Sequence, residues 1–487
     1  MTAPEARSGL DPFREGQLPE PPRPMGLGWI AAVGPGVILL GASIGSGEFL
    51  LGPAVMVKYG LSLLWISGVA ITLQTLFNTE LMRYTIATGE PVFTGFMRTA
   101  PRAGFWAWLY SLFFLLQAGW PAWAGTAAGA VFFLFTKRLA GPEEANLVYL
   151  AGLAAYALCV AVLLVGRRIE RTLEILNWVL VTLIIGGLLV LAILFVPGAT
   201  WIGGLVGWFG FDAATGSFNP VPAGIDWFLI GAFAAFSGAG GVINISLSNW
   251  ARDKGYGMGS AAGYIPSAIG GERTDLAHTG FRIATDPVTM QRWKGWWRLV
   301  RADQYGVFFI GAVLGMLLPG LLYVTFVPSG EDIRGLAVAS TLAHAVSGAK
   351  GAVFGGIIAM MAVWVLLKAQ LDILEGTVRG ITDILWAGSS RIRTWRGGDV
   401  RLVYYSVLGL LVAWGVIALR LAQPVVLLQI SANVGGIVFV LASLHLLRIN
   451  TTLLPPALRP PLWRRVALVT MALFYGAFVT LWLSSLR

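Results

Sequence analysis

The stretch GASIGSGEFLLGP, residues 41–53, decides the fold, and within it Gly45-Ser46-Gly47-Glu48 carries the argument. It lies inside an apolar run longer than the roughly 20 residues a bilayer helix needs, yet it holds a carboxylate between glycines near its middle. Glycine eases local unwinding, and in hydrocarbon an unwound backbone persists only where protein, a cavity or an ion satisfies its polar groups. The stretch therefore reads as an interrupted first span and as a candidate binding site.

The surrounding composition fixes the class. Hydrophobic residues make up 56% of the 487, and the mean hydropathy is +0.74. Such a chain is a polytopic integral membrane protein whose non-covalent partner is the lipid bilayer. The single Cys159 cannot form an intramolecular disulfide. Residues 1–25 are polar and proline-rich, without the pattern of a cleavable signal, and are expected to be a mobile cytoplasmic tail.

Apolar runs predict eleven spans, near 26–58 (interrupted), 61–82, 105–136, 147–166, 173–196, 226–250 (interrupted), 304–327, 352–385, 403–422, 424–446 and 463–485. Most of the 34 basic residues then fall on alternate connections. One set holds Arg7, Arg14, Arg23, Arg83, Arg98, Arg102, Arg167, Arg168, Arg171, the 252–301 connection, Arg391, Arg393, Arg396, Arg401, Arg448, Arg459, Arg464 and Arg465. The other holds Lys58, Lys137, Arg138, Arg334, Lys350, Arg420 and Arg487. Because basic residues favour the cytoplasmic side, this predicts a cytoplasmic N-terminus in a bacterial-type inner membrane. The net charge of +10 is then a topology signal, and no nucleic-acid partner is expected. In the 252–301 loop, Trp293, Trp296 and Trp297 stand beside Arg292, Lys294, Arg298 and Arg301, which predicts a helix lying on the inner membrane surface.

A second interruption follows five spans after the first, in FSGAGGVINISLSNW (236–250), where Ser237, Gly238, Ala239 and Gly240 sit between two apolar half-helices. Paired interruptions in corresponding halves point to an inverted-repeat transporter with its substrate at the bilayer midplane. On that plan the first repeat (helices 1–5) occupies 26–196, the second (helices 6–10) 226–446, and helix 11 is an addition at 463–485. The same glycines also permit simple close packing of helices.

The run GPGVILLGASIGSGEFLLGPAVMVKYGLSLLW (34–65) with IATGEPV (86–92) resembles the first two helices of the NRAMP divalent-metal transporters. RRIERTLEILNWVLVTLI (167–184) and AQLDILEGTVRGI (369–381) extend the resemblance to helices 5 and 8. It implies an all-α LeuT-type five-plus-five fold with discontinuous helices 1 and 6. The departures carry chemistry. Where that family has Asp-Pro-Gly-Asn this chain has Gly45-Ser46-Gly47-Glu48, and its Met-Pro-His motif falls on Gly238-Ala239-Gly240. The acidic pair of its helix 3 aligns with Gly119 and Ala122. Without the thioether, the site no longer favours transition metals over hard ions.

Glu48 is the leading candidate ligand, because an ionised carboxylate at membrane depth calls for a partner. Either it binds a cation or substrate amine, helped by Ser46 and by carbonyls near Gly45 and Gly240, or it forms a structural ion pair, with Lys368 as one candidate. Lys368, Asp372, Glu375, Arg379 and Asp383 fall within about 80° of one face of helix 8. They form either a relay or gating network or a static ladder of (i, i+4) pairs. Gln429 and Asn433 are candidates for substrate contact or for interhelical hydrogen bonding. Gln74 and Asn78 are candidates for lining a path, Glu80 and Arg83 for an interfacial pair, and Asn244 and Asn249 for orienting the inner half of helix 6. His278, His344 and His445 are expected in or near connections, and no cofactor is expected. The reading is a secondary transporter, not an enzyme. It moves a cation, with Glu48 as metal ligand to a hard divalent ion such as Mg2+ or Mn2+, by alternating access. The alternative is a small organic solute on a fold no longer used for metal.

Overall fold

The computed structural model describes residues 8–213, 215–333 and 335–486. Residues 1–7 with Arg7, and Arg334 and Arg487 from the charge alternation, lie outside them. Among the described residues, eleven helices are long and apolar enough to cross a membrane: α1 (Pro35–Tyr59), α2 (Leu61–Thr88), α3 (Ala103–Thr136), α4 (Pro142–Leu164), α5 (Ile169–Phe195), α6 (Trp227–Asp253), α7 (Pro287–Phe326), α8 (Ala352–Gly388), α9 (Val400–Ala418), α10 (Pro424–Thr452) and α11 (Leu462–Ser485). The chain is an integral membrane protein with an all-α, LeuT-type fold. Extended pairing among the described residues is confined to two short two-stranded ladders and two isolated bridges.

Burial separates centre from rim. The most apolar windows of α1 and α6 are 100% and 94% buried, those of α5 and α11 only 28%. A helix enclosed by protein can carry polar groups that lipid would reject, which is why both polar interruptions lie on α1 and α6.

The two interruptions differ in kind. In α6 the helix stops at Phe236 and restarts at Gly241. Gly238, Gly240 and Gly241 have φ of +111°, +86° and +44°, values that only glycine adopts without strain. In α1 the expected unwinding at Gly45–Glu48 is not found: Ile44–Leu51 stays helical but widens to a π-helical section between Pro35–Ser43 and Gly52–Tyr59. The π pattern keeps backbone groups bonded within the segment, so no outside partner is required. Its glycines serve close approach. A Cβ on Gly47 would fall 1.8 Å from the Phe236 carbonyl oxygen of α6, and one on Gly45 would fall 2.4 Å from Ala369 Cβ of α8. The start of α1 is separately pinned: after the short Gly28–Ala32 helix, Asp303 of α7 accepts hydrogen bonds from the Gly34 and Gly36 N–H groups, each at 2.9 Å. A further break, unforeseen, divides α3 at Gly119-Trp120-Pro121.

Two expectations about the termini and loops are corrected. The described part of the tail is not free: Arg14–Gly16 pairs in parallel with Phe281–Ile283, Asp11 contacts His278 at 2.9 Å, and Leu18 is buried. The tryptophan-rich helix is not a separate surface element either, since Pro287–Arg301 runs without a break into the rest of α7. Trp293 and Trp296 are buried, Trp296 donates to the Pro19 carbonyl at 2.9 Å, and Trp297 lies under the guanidinium groups of Arg83 and Arg464. Tail and protein take the apolar face that lipid was expected to cover.

Candidate functional site

The π-helical section decides what surrounds Glu48. Ser43 and Glu48 are five residues apart, about 140° around an α-helix, but the i→i+5 pattern brings them together. The Ser43 hydroxyl donates to Glu48 Oε1. From the α6 break, the Gly238 N–H donates to the same oxygen at 3.2 Å. Glu48 Oε2 has no hydrogen-bond partner among the described residues, although Glu48 is wholly buried.

The break itself is held by two glutamines. Gln74 of α2 donates its amide N–H groups toward the carbonyls of Ser237 (2.8 Å) and Ala235 (3.3 Å), with the Tyr475 hydroxyl also at 2.9 Å. Those carbonyls fix the amide orientation and leave Gln74 Oε1 as an acceptor without a partner, lying against Gly238, where a Cβ would meet it at 2.2 Å. Gln117 of α3 donates to the Gly240 carbonyl at 2.9 Å and accepts from the Val242 N–H at 2.9 Å. Two unpaired acceptor oxygens thus lie in a site closed to solvent: Gln74 Oε1 against Gly238, and the free oxygen of the carboxylate that the Gly238 N–H bonds. Each is a buried polar atom whose desolvation is uncompensated within the protein, and a donor or a cation is what satisfies it.

Below Glu48, the face of α8 carries a column of ion pairs. Lys368 Nζ lies 2.9 Å from Asp372 Oδ2, and Asp372 Oδ1 accepts from Asn177 of α5 at 2.9 Å. Glu375 pairs with Arg379 at 2.5 Å and accepts from the Trp250 indole at 2.6 Å. Arg379 also pairs with Asp253, and Arg252 pairs with Asp383 at 2.6 Å, so the column ends in the second half of α6, Gly241–Asp253. Breaking one partner of such a pair costs about 3–5 kcal/mol, because it strands a buried charge.

Solved structures of similar shape come from the manganese transporter of Eremococcus coleocola. A histidine-to-alanine variant aligns with a TM-score of 0.64 at 15% identity, over 97% of this chain and 90% of that one. A glutamate-to-glutamine variant gives 0.63 at 15%, over 98% and 91%, and a complex with an aromatic bis-isothiourea compound gives 0.62 at 16%, over 98% and 91%. This chain has the fold of those transporters. No protein-family model matches its sequence, and no curated protein matches it.

Within that fold, the residues singled out from sequence divide. Gly47, Glu48, Ser237 and Gly238 come together, with Ala239 buried beside them, whereas Gly45 packs against Val365 and Ala369 of α8. Ser46 faces away from Glu48: its hydroxyl accepts from Trp123 at 2.8 Å and donates to the Ala42 carbonyl. The Gly240 carbonyl is taken by Gln117. Asn433 donates to the carbonyls of Phe228 and Gln429, both at 2.9 Å, which ties α10 to the first half of α6, Trp227–Phe236, rather than to Glu48. Asn244 donates to Asn78 at 2.9 Å, and Asn249 donates to Asp383. Glu80 and Arg83 do pair, at 2.7 Å, but both are buried and joined by Arg464. His445 is not in a connection: it lies within α10, buried and stacked on Phe96. Sequence reasoning missed Ser43, Gln117, Trp123, Asn177 and Asp303. For Gln117 the adjacent Gly119-Trp120-Pro121 was the available signal, while Ser43 becomes legible only once the π pattern is known.

Proposed function

We propose that this protein is a secondary transporter that binds a cation between the π-helical section of α1 and the break in α6 and moves it by alternating access. The observation that carries the reading is that Glu48 and Gln74, both against Gly238 in a buried site, each leave one acceptor oxygen, Oε2 and Oε1, without a partner. The cargo is a hard divalent ion such as Mg2+ or Mn2+, because the acceptors are oxygens with no thioether and because such an ion keeps several waters rather than needing a full protein cage. That the fold is shared with manganese transporters supports a metal cargo. The helices of 26–196 and 226–446 act as the two repeats, with the tail and the 252–301 loop on the cytoplasmic side of a bacterial-type inner membrane.

A second reading, a small organic cation, is favoured by one observation: among the described residues no group of three His, Cys, Asp or Glu side chains is placed to hold a metal. One panel separates them. Binding and proteoliposome uptake of Mg2+, Mn2+, Ca2+ and small amines are measured for wild type and Glu48→Gln. Loss of one charged ligand is expected to weaken the true cargo roughly 10- to 100-fold. Unchanged binding of every ligand would remove Glu48 from the site, and conductance far above carrier rates would replace the carrier by a channel.

A further inference from the structure

The first section of α7, Pro287–Arg301, has two faces that meet different surroundings. One is taken by protein: Trp293 and Trp296 are buried, Arg292 and Trp296 donate to the carbonyls of Leu18 and Pro19, and Gly295 lies against Pro21. The other is bare. Lys294, Arg298 and Arg301 are exposed and, at offsets of 0, 4 and 7, fall within about 60° of one another around the helix. None of the three is ion-paired among the described residues, and neither 287–301 nor 21–36 contains an acidic residue.

The helix that carries this stripe sets its depth. α7 has 40 residues, about 60 Å at ~1.5 Å per residue and roughly twice the hydrocarbon thickness, so one end must stand outside the core. From Tyr305 to Phe326 it holds no charged residue, which leaves 287–301 as the emerging end. Lys294 to Arg301 rises through about 10 Å, enough to cross the headgroup layer. The start of α1 lies at the same level, because Asp303 accepts hydrogen bonds from the Gly34 and Gly36 N–H groups. Just before that start, Met25, Leu27 and Ile30 are 87%, 84% and 47% exposed, and Arg298 Cζ lies 5.5 Å from the centre of the Trp29 ring.

A simple anion would satisfy the stripe and leave three apolar side chains in water. Hydrocarbon would cover those side chains and leave three cations unpaired. An anionic phospholipid presents both chemistries at once. We propose that Lys294, Arg298 and Arg301 of α7, with the adjoining Met25, Leu27 and Ile30, form a binding site for an anionic phospholipid of the leaflet from which the tail emerges. Its phosphate lies on the basic stripe and its acyl chains lie against the apolar trio, with Arg298 over Trp29 joining the two parts. The site shares no residue with Glu48 or with the break in α6, so it stands whatever the cargo is.

The test uses the full chain in a neutral detergent. Phosphatidylglycerol or phosphatidylcholine is added to the micelles in steps, retained lipid is counted by native mass spectrometry, and the melting temperature is followed in parallel. Wild type is expected to retain phosphatidylglycerol in preference to phosphatidylcholine, and to lose that preference as salt is raised from about 0.1 to about 0.5 M. Lys294→Gln/Arg301→Gln leaves the contact between Arg298 and Trp29 in place, and is expected to bind phosphatidylglycerol roughly 10- to 30-fold more weakly, as the loss of two cations near a lipid surface predicts. Arg391→Gln/Arg448→Gln removes two exposed cations elsewhere and is expected to bind as wild type does. Equal retention of the two lipids, a preference that survives high salt, or the same loss in both double variants overturns the proposal. Millimolar inorganic phosphate is expected to leave the melting temperature unchanged; a rise equal to that from phosphatidylglycerol would make the occupant a free anion and overturn it too. The two-lipid and salt comparisons use wild type alone, so they decide the matter even if a variant fails to fold.

Discussion

At the scale of single residues, the site turns on what glycine omits and what one serine supplies. Gly47 lets the α1 backbone touch the Phe236 carbonyl, where a Cβ would sit at 1.8 Å against backbone that cannot rotate away. Gly47→Ala is therefore expected to abolish accumulation of folded protein or lower its melting temperature sharply, as read by fluorescence size-exclusion and thermal melts. Ser43→Ala removes the side-chain donor to Glu48 Oε1 and leaves that oxygen with the Gly238 N–H alone. A loss of about 1–3 kcal/mol in stability is expected from removing one hydrogen bond to a buried carboxylate. A melting temperature equal to that of wild type would show that the contact contributes nothing. Glu48 was legible in the sequence because a carboxylate inside an apolar run has few explanations. Ser43 was not, because its contact depends on helical pitch, which composition does not encode.

At the scale of elements, the break in α6 and the first turn of α1 are each held by a side chain from a neighbouring helix. Gln117 of α3 satisfies both the Gly240 carbonyl and the Val242 N–H across the break in α6. Gln117→Ala strands two buried backbone groups at about 1–3 kcal/mol each, and is expected to speed hydrogen exchange around 238–243 more than elsewhere. Asp303 does the same for the first turn of α1. Asp303→Asn has one acceptor oxygen where two are needed, so one of the Gly34 and Gly36 N–H groups loses its partner, at about 1–2 kcal/mol. Exchange at residues 34–38 that matches wild type would refute that role. Eleven spans and the break in α6 could be read in advance, because apolar length and a Ser-Gly-Ala-Gly-Gly cluster are local signals. The widening of α1 and the partners Gln117 and Asp303 depend on which helices become neighbours.

At the scale of the molecule, the described tail closes over the loop between the two halves of the chain. Asp11 meets His278, Arg14–Gly16 lies along Phe281–Ile283, and Leu18 and Pro19 receive hydrogen bonds from Arg292 and Trp296. Deleting residues 1–20 is expected to leave the helical circular dichroism intact while exposing the 264–286 segment to protease. Equal cleavage of both proteins would contradict that. The tail was misread from sequence because a proline-rich polar segment resembles a free one until its partner strand is in view.

That pairing also constrains the path of the chain through the bilayer. A backbone ladder cannot form across hydrocarbon, so Arg14–Gly16 and Phe281–Ile283 must emerge on one face, and the number of crossings between them must be even. Six helices, α1 to α6, lie between them. Three hydrogen-bonded residue pairs thus check the parity of the first half of the molecule without reference to any charge or hydropathy scale, and one misassigned crossing in that half would pull the ladder apart.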